Sequence, residues 1–352
     1  MKNFSERFKS ARIMKGYSLQ DLANELEKWG GAISKQALNK YEQGLMKPDQ
    51  EVLLKLCKAL EVRPDYFVRE TSIDLGNIEF RKLKKLTAKE SARIKEKTID
   101  FLERYIELED LLGIDRAFIN PIADNAINNN DDVEAAAEKI RKAWKLGEDP
   151  LGNVIELLEG NNIKVIEIDS VEEFVGLATW EGIKTPVIVV NSKFPADRKR
   201  FTALHELGHV LMNVNHHPEK EREQYCNFFA GAMLIPSKSL IRELGSSRSK
   251  ISIHELVFLK KQFGASIQSI VFRSKHLGII TNSYFKSFMT YFSMQGYKKK
   301  EPGQYNGEEK SYRFKQLIHR AVAEEIISTS KAAALDNKKL AEFRDELSRY
   351  DT

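Results

Sequence analysis

The residues at positions 205–209 combine metal-binding and acid–base side chains at the spacing of one helical turn. They read His-Glu-Leu-Gly-His, so His205 and His209 are four positions apart and Glu206 follows the first of them. Residues i and i+4 lie on one face of a helix, so both imidazoles can bind one zinc ion. Glu206 can then act as a base toward a nearby water. The spacing therefore predicts a zinc site suited to hydrolysis, with Zn2+ as its cofactor.

A third zinc ligand is expected from a second helix downstream. Residues 219–234 form a helical stretch that Pro236 closes, and Glu223 and Asn227 stand at i and i+4 on it. We predict that Glu223 is the third ligand and that Asn227 orients a ligand from behind. The alternative third ligands are its neighbours His216, His217 and Glu219.

Two other interpretations of the motif are weaker. A metzincin needs Gly and His at the positions where this chain has Met212 and Asn215, which excludes that class. A purely structural helix would bury Leu204, Leu207 and Leu211 and leave the histidines inert. That interpretation is disfavoured because buried His and Glu side chains on one face are costly without a metal.

Short β-branched runs predict a small sheet beside this helix. Residues 164–168, 175–180 and 186–191 are each of strand length. Metallopeptidases of this general type hold an extended substrate against a sheet edge beside the metal helix. The strand at 186–191, which directly precedes the motif, is our candidate for that role.

The segment from Asn191 to Pro236 resembles the ImmA/IrrE family of metallo-endopeptidases. The resemblance rests on Arg-Phe-Thr at 200–202, the motif at 205–209, and the spacing of Glu223, Asn227, Phe-Ala at 229–230 and Leu-Ile-Pro at 234–236. It implies a zincin-like α+β domain in which His205, His209 and Glu223 bind zinc and Glu206 is the general base. The chain departs from the family pattern at Asn213 and at Tyr225-Cys226, none of which is a predicted ligand.

The first seventy residues suggest a second, all-α module. Residues 18–23 and 34–44 predict two short helices, and a third begins after Lys47-Pro48-Asp49. This layout resembles the lambda-repressor/Cro-like (Xre) helix-turn-helix family, whose second helix reads DNA. By that resemblance the DNA-contacting residues are Gln20, Lys35, Gln36, Asn39 and Lys40.

One departure concerns the turn of this module. Residues 25–32 lengthen the connection between the two helices, which puts the depth of docking in the groove in question. The alternative interpretation of the segment is a small helical bundle for dimerisation or partner docking. The cluster of Lys, Gln and Asn on one short helix favours DNA binding over that alternative.

Composition agrees with a multidomain, mainly α protein. The chain has 352 residues, a net charge of +5 and 42% hydrophobic residues, which suit two or three ordinary domains. Its two cysteines are too few for a disulfide framework. With no apolar run of eighteen residues and no secretory signal, we expect no membrane association and a cytoplasmic location.

We predict four segments along the chain. These are a helix-turn-helix domain at 1–70, a helical connector at 71–146, the peptidase domain at 147–280, and a helical C-terminal region of unknown role at 281–352. A single helix is expected at 314–335 within the last segment.

Together the resemblances imply a DNA-binding transcriptional regulator with a zinc-dependent endopeptidase that cleaves a repressor or antitoxin-like protein. The expected partners are a double-stranded DNA operator and a protein substrate or toxin partner. A homodimer is expected because helix-turn-helix proteins commonly read paired half-sites. Two alternatives stay open: a non-enzymatic transcription factor whose metal pocket is a sensor or structural site, and an antitoxin that acts by binding.

Overall fold

The computed structural model describes residues 4–69, 73, 75, 86–182 and 185–349. The chain forms two compact units. Unit 1 comprises Met1–Gly76, Phe80–Arg116 and Tyr312–Thr352, and unit 2 comprises Asn77–Glu79 and Ala117–Ser311. Each unit is described by itself below.

In the part of the chain that the structure describes, sixteen α-helices and three β-strands follow one another. They are α1 (Phe4–Lys15), α2 (Leu19–Glu27), α3 (Lys35–Glu42), α4 (Gln50–Leu60), α5 (Ala88–Leu111), α6 (Asn130–Ala143), α7 (Val154–Gly160), β1 (Lys164–Ile168), β2 (Gly176–Glu181), β3 (Thr185–Asn191), α8 (Ala196–Leu211), α9 (Glu219–Leu234), α10 (Ser237–Leu244), α11 (Ile253–Phe263), α12 (Ile267–His276), α13 (Asn282–Met294), α14 (Arg313–Ala323), α15 (Thr329–Leu335) and α16 (Leu340–Ser348).

The helices of the N-terminal module begin at side-chain caps. Ser18, Ser34 and Asp49 each accept a hydrogen bond from a backbone N–H in the first turn of α2, α3 and α4. Each of these helices turns an apolar face inward, and one core results. Its fully buried members include Phe8, Leu22, Leu26, Leu38 and Leu56.

Buried and partly buried ion pairs join helix α5 to this module. The Arg7 guanidinium on α1 donates to the Glu103 carboxylate on α5 at 2.6 Å, and both side chains are about 1% exposed. A neighbouring pair joins Arg69 to Asp100 at 3.0 Å. Removing one partner of such a buried pair leaves the other charge uncompensated, so these contacts fix how α5 docks on α1.

The C-terminal helices complete unit 1 by packing on α5. The ring of Phe314 lies 5.0 Å from that of Phe101 and 5.2 Å from that of Tyr105, centroid to centroid. The guanidinium of Arg104 donates to the Leu335 carbonyl at 2.7 Å. The C-terminal region therefore shares a unit with the helix-turn-helix segment.

The predicted single helix at 314–335 is wrong. The structure has α14 and α15 instead, separated at residues 324–328. Glu325 there has a left-handed φ of 56°, and the Ser328 hydroxyl caps α15 by accepting from the Lys331 amide. A strong cap and a left-handed residue end one helix and start another.

Unit 2 is built around a three-stranded sheet with the order β1-β3-β2 in the described residues. β1 pairs with β3 in parallel and β2 pairs with β3 antiparallel. Every residue of β3 is buried, as a central strand requires. The expectation that 186–191 offers the substrate edge is therefore wrong, because β3 is paired on both sides. β2 is the edge strand that packs beside α8.

The two units group the predicted segments differently from our four-part division. The C-terminal helices join the N-terminal module, and the connector contributes α5 to unit 1 and α6 to unit 2. The predicted boundary at 70/71 and residues 76–85 lie outside the described residues. The four-part division stays a prediction. None of the helices in the described ranges is long and apolar enough to cross a membrane.

Candidate metal centre and helix-turn-helix surface

Helices α8 and α9 bring three metal-binding side chains together. The Nε2 atoms of His205 and His209 on α8 are 3.2 Å apart. The Glu223 carboxylate on α9 lies 3.2 Å from His205 Nε2 and 3.3 Å from His209 Nε2. Each ring nitrogen thus lies close to a different oxygen of the one Glu223 carboxylate, although α9 begins ten residues after the motif.

The separations between these nitrogen and oxygen atoms are close to those found around a zinc ion. Tetrahedral zinc with ligand bonds of roughly 2.0–2.2 Å places its ligand atoms about 3.3–3.5 Å from one another. Two imidazoles and one carboxylate also match the donor set of catalytic zinc sites, which keep a fourth position open. The Glu223 side chain is 39% exposed whereas that of His209 is 7% exposed, so the centre opens to solvent on the Glu223 side.

Asn227 fixes the orientation of His205. Its Oδ1 lies 3.0 Å from His205 Nδ1. Because an amide oxygen only accepts, Nδ1 must carry the proton, which leaves the Nε2 lone pair directed at the centre. This is the arrangement expected of a residue that orients a ligand from behind.

A close approach of α8 and α9 makes this convergence possible. A Cβ atom placed on Gly208 would lie 3.3 Å from both Cα and Sγ of Cys226, and 3.2 Å from the Met212 methyl. The glycine inside the motif therefore lets α9 lie against α8. The Cys226 side chain fills this contact and is fully buried.

Glu206 faces the start of the edge strand. It is 3% exposed. A Cβ atom on Gly176 of β2 would lie 2.6 Å from Thr202 Cγ2 and 3.4 Å from Glu206 Cγ. β2 therefore runs directly against the helix face that carries the predicted base, and only glycine fits at that contact.

The alternative third ligands lie in other contacts. His217 Nε2 is 2.6 Å from the Ile127 carbonyl and its Nδ1 is 3.4 Å from Glu221. The His216 ring lies against that of His217 with centroids 4.0 Å apart. Glu219 is exposed in the first turn of α9. The group whose ligand atoms converge in the described residues is His205, His209 and Glu223.

Sequence reasoning assigned no role to Arg200, which the structure shows fully buried at the N-terminal half of α8. It lies 3.3 Å from the carboxylate of Glu309, which is also 0% exposed. Burial outweighs the attraction of Arg200 and raises the pKa of Glu309 to about 7. The sequence shows Arg200 as part of the Arg-Phe-Thr motif, whereas no sequence pattern indicates a role for Glu309.

The helix-turn-helix surface presents all five predicted DNA-contacting residues to solvent. Lys35, Gln36, Asn39 and Lys40 lie on one exposed face of α3, and Gln20 is exposed at the start of α2. The amide of Gln20 donates to Asn24 at 2.9 Å. On the buried side, Arg12 holds α3 in place through Glu42 at 2.5 Å.

The turn between these helices has the extended length noted in the sequence. Gly30 adopts a left-handed φ of 71°, and the Gly31 amide closes the end of α2 on the Leu26 carbonyl. The Lys55 ammonium donates to the Gly30 carbonyl at 2.9 Å. The longer turn is thus an ordered feature of the module.

Comparisons with known proteins agree with both halves of the molecule. Residues 8–67 match the family model described as Helix-turn-helix, and residues 159–275 match the Peptidase_M78 model, described as IrrE N-terminal-like domain. The SPbeta prophage-derived uncharacterized HTH-type transcriptional regulator YonR of Bacillus subtilis (strain 168) is 40% identical over 77 residues, which are 21% of this chain and 67% of that regulator.

The chain therefore belongs to the helix-turn-helix family of DNA-binding transcriptional regulators, and it carries an M78 peptidase-family domain. The resemblances to both families are confirmed. So is the fold class, which is mainly helical with a small sheet.

Proposed function

We propose that this regulator is also a zinc-dependent endopeptidase that cleaves a repressor or antitoxin-like protein. One observation carries the proposal: the two histidine Nε2 atoms lie 3.2 Å apart, and each lies 3.2–3.3 Å from an oxygen of the Glu223 carboxylate, close to the spacing of ligand atoms around zinc. Asn227 supports it because its contact selects the histidine tautomer that can bind a metal.

Each residue has a defined role in this proposal. His205, His209 and Glu223 would hold the zinc, which when bound makes water acidic and polarises a peptide carbonyl. Glu206 takes the proton of the attacking water and returns it to the leaving nitrogen. Its burial beside β2 keeps this carboxylate close to a chain bound along that strand.

The edge strand β2 supports a peptide substrate. It pairs with β3 on one side and packs beside α8, so its other edge can pair with an extended chain next to the centre. Backbone pairing of this kind accepts many side chains. We therefore expect the substrate to be a protein with an accessible extended segment, such as a repressor or antitoxin that shares the operator of this regulator.

The test uses the full chain with two substitutions. Glu206→Gln removes the base and keeps the metal-binding atoms, so the variant should bind one zinc per chain and lose cleavage. His205→Ala should lose both. Zinc is measured by elemental analysis, and cleavage by mapping new protein N-termini in cells that produce each form.

The outcomes separate the proposal from its alternatives. New N-termini that persist with Glu206→Gln would contradict it. If zinc is present but no N-terminus depends on Glu206, the pocket is a structural or sensor site. The homodimer is tested separately by the mass of the protein on DNA carrying one or two half-sites.

A further inference from the structure

The segment from Glu301 to Ser311, called the strap below, crosses unit 2 without forming a helix or strand. It belongs to the connection between α13 and α14, residues 295–312, and irregular connections this long are uncommon and often functional. Hydrogen bonds and ion pairs anchor it to α7, α8, α11, α12 and β1.

The central anchor is Arg200 on the metal-site helix. Its guanidinium donates to the hydroxyl of Tyr305 at 2.6 Å and to the carboxylate of Glu309 at 3.3 Å, both on the strap. It also donates to the carbonyl of Gly152 at 2.7 Å. Arg200 precedes His205 by five residues, or about one and a half helical turns. The strap thus holds the helix that carries both histidines.

Glu309 ties the strap to two elements at once. Its carboxylate accepts from the Ile155 amide at the start of α7 at 2.9 Å, while its carbonyl accepts from the Lys199 ammonium on α8 at 2.5 Å. The Glu309 carboxylate is fully buried. Removing it would take one acceptor from the Arg200 guanidinium and one from the Ile155 amide, both of which are buried.

Two glycines leave room for this anchor: Gly264, in the turn between α11 and α12, and Gly307 on the strap. Gly264 has a φ of +61°, and a Cβ atom there would lie 2.8 Å from both Arg200 Nε and Tyr305 Cζ. A Cβ atom on Gly307 would overlap the Tyr305 ring. A side chain at either position would clash with Arg200 or Tyr305, so the strap packs closely against α8 here.

The strap leads directly into unit 1. Its last residue, Ser311, donates its hydroxyl to Glu159 at 2.8 Å in unit 2. The next residue, Tyr312, belongs to unit 1, and α14 follows with Phe314 buried against Phe101. Covalent continuity thus joins the anchor on the metal-site helix to a helix that packs on α5 in unit 1.

We propose that Arg200 and Glu309 are positioning residues through which the strap links the zinc centre to the helix-turn-helix unit. The inference rests on the proposed function for the zinc, but the grip of the strap on α8 does not. Because its anchors are mainly polar, the strap can loosen without exposing a large apolar surface. Zinc bound at the centre would restrict the motion of α8 and, through the strap, that of α14. By linkage, a change in α14 would alter the zinc affinity by the same free energy.

The test is hydrogen exchange of the full chain by mass spectrometry, with and without Zn2+. Glu309→Ala removes the buried anchor, and Glu309→Gln keeps a neutral acceptor in its place. Glu308→Ala, at an exposed neighbour, is the matched control. Tyr305→Phe removes one acceptor of Arg200 by a smaller change, should Glu309→Ala fail to fold.

Without zinc, Glu309→Ala should speed exchange at least threefold in α8, the strap and α14, whereas Glu309→Gln and Glu308→Ala should stay near wild type. Zinc should slow exchange in all three segments of the wild type but only in α8 of Glu309→Ala. The zinc Kd of Glu309→Ala should rise about tenfold, as for other residues that support a ligand.

An α14 that responds neither to zinc nor to Glu309→Ala would overturn the linkage. If the wild type binds no zinc, the proposed peptidase fails. The metal-free comparison still decides whether the strap connects α8 to α14.

Discussion

At the scale of single residues, the candidate metal centre includes side chains that contact the proposed ligands as well as the proposed ligands themselves. Asn227 reaches the outer nitrogen of His205, and Gly208 leaves room for the helix that carries Glu223. These supporting contacts decide whether three correctly spaced residues converge on one ion.

The first prediction concerns Asn227→Leu. Without the amide oxygen, His205 loses the contact that fixes its tautomer, so the zinc Kd should rise roughly 10–100-fold. Competition with a chromogenic chelator measures it. Gln224→Leu, at an exposed position of the same helix, should leave the Kd unchanged. Equal affinities for both variants would contradict the role of Asn227.

The second prediction is a pH dependence set by Glu309. Its pKa is about 7 in the folded chain and near 4.5 when unfolded, so the folded state binds the proton more tightly. The stability that this provides is present below pH 4.5 and is lost as the pH rises through 7. Between pH 5 and 8 the wild type should lose up to about 2 kcal/mol more than Glu309→Gln.

Urea unfolding at the two pH values measures this difference. Using Glu309→Gln as the reference cancels the titration of the histidines, which both proteins share. Parallel pH profiles for the two proteins would show that Glu309 stays ionised in the fold.

At the scale of elements, function depends on how closely helices and strands approach. α8 meets α9 at Gly208 and meets β2 at Gly176, so the metal helix is flanked by glycine contacts on two sides. A methyl group at either position acts on the spacing of the elements without touching a ligand.

The third prediction is that Gly208→Ala weakens zinc binding. The new methyl would lie 3.3 Å from Cys226, so α9 must move by a few tenths of an ångström and carry Glu223 with it. The zinc Kd should rise severalfold even though alanine favours a helix by about 1 kcal/mol. Gly231→Ala on α9 meets no atom within 4 Å and should bind zinc normally. A normal Kd for Gly208→Ala would contradict the tight-contact argument.

The fourth prediction separates two kinds of contact on α3. Gln36→Ala should relax sequence preference at one base pair by about 1–3 kcal/mol, because amides read adenine edges. Lys40→Ala should weaken binding to all sequences alike and reduce the salt slope by about one unit. Duplexes selected from a random library provide the probe. If Lys40→Ala changed the preferred sequence, the assignment of these contacts would be wrong.

At the scale of the whole molecule, the ends of the chain belong to one unit and the peptidase-family domain lies within unit 2. The chain leaves unit 1 after α5 and returns to it at α14, so unit 2 is inserted between two parts of the DNA-binding unit. Buried aromatic contacts between α5 and α14 form a second apolar cluster in this unit, separate from the core of the helix-turn-helix helices.

The fifth prediction follows from this arrangement. Phe314→Ala removes a buried ring from the α5 contact and should destabilise unit 1 by about 3–5 kcal/mol. Unit 2 of this variant should still bind zinc above the temperature at which unit 1 unfolds, because the substitution leaves the core of unit 2 unchanged. Thermal unfolding followed by circular dichroism and by zinc release measures the two units. Simultaneous loss of both signals at the wild-type temperature would contradict the prediction.

The sequence predicted the parts that depend on local pattern. Caps and apolar periodicity gave α3 and α9 nearly to the residue, and fixed spacing placed His205 and His209 on one helical turn. Spacing along the chain does not measure the distance between two helices, so the sequence leaves Glu223 as one of several candidates for the third ligand.

The sequence by itself determined the kinds of chemistry in this protein, because side-chain type and helical period are local properties. Only the tertiary structure places β2 at the sheet edge beside α8, α14–α16 in the DNA-binding unit, and the buried Glu309 against Arg200. Each of these depends on which distant segments meet. Such contacts are selected by the packing of the entire core, which no short stretch of residues encodes.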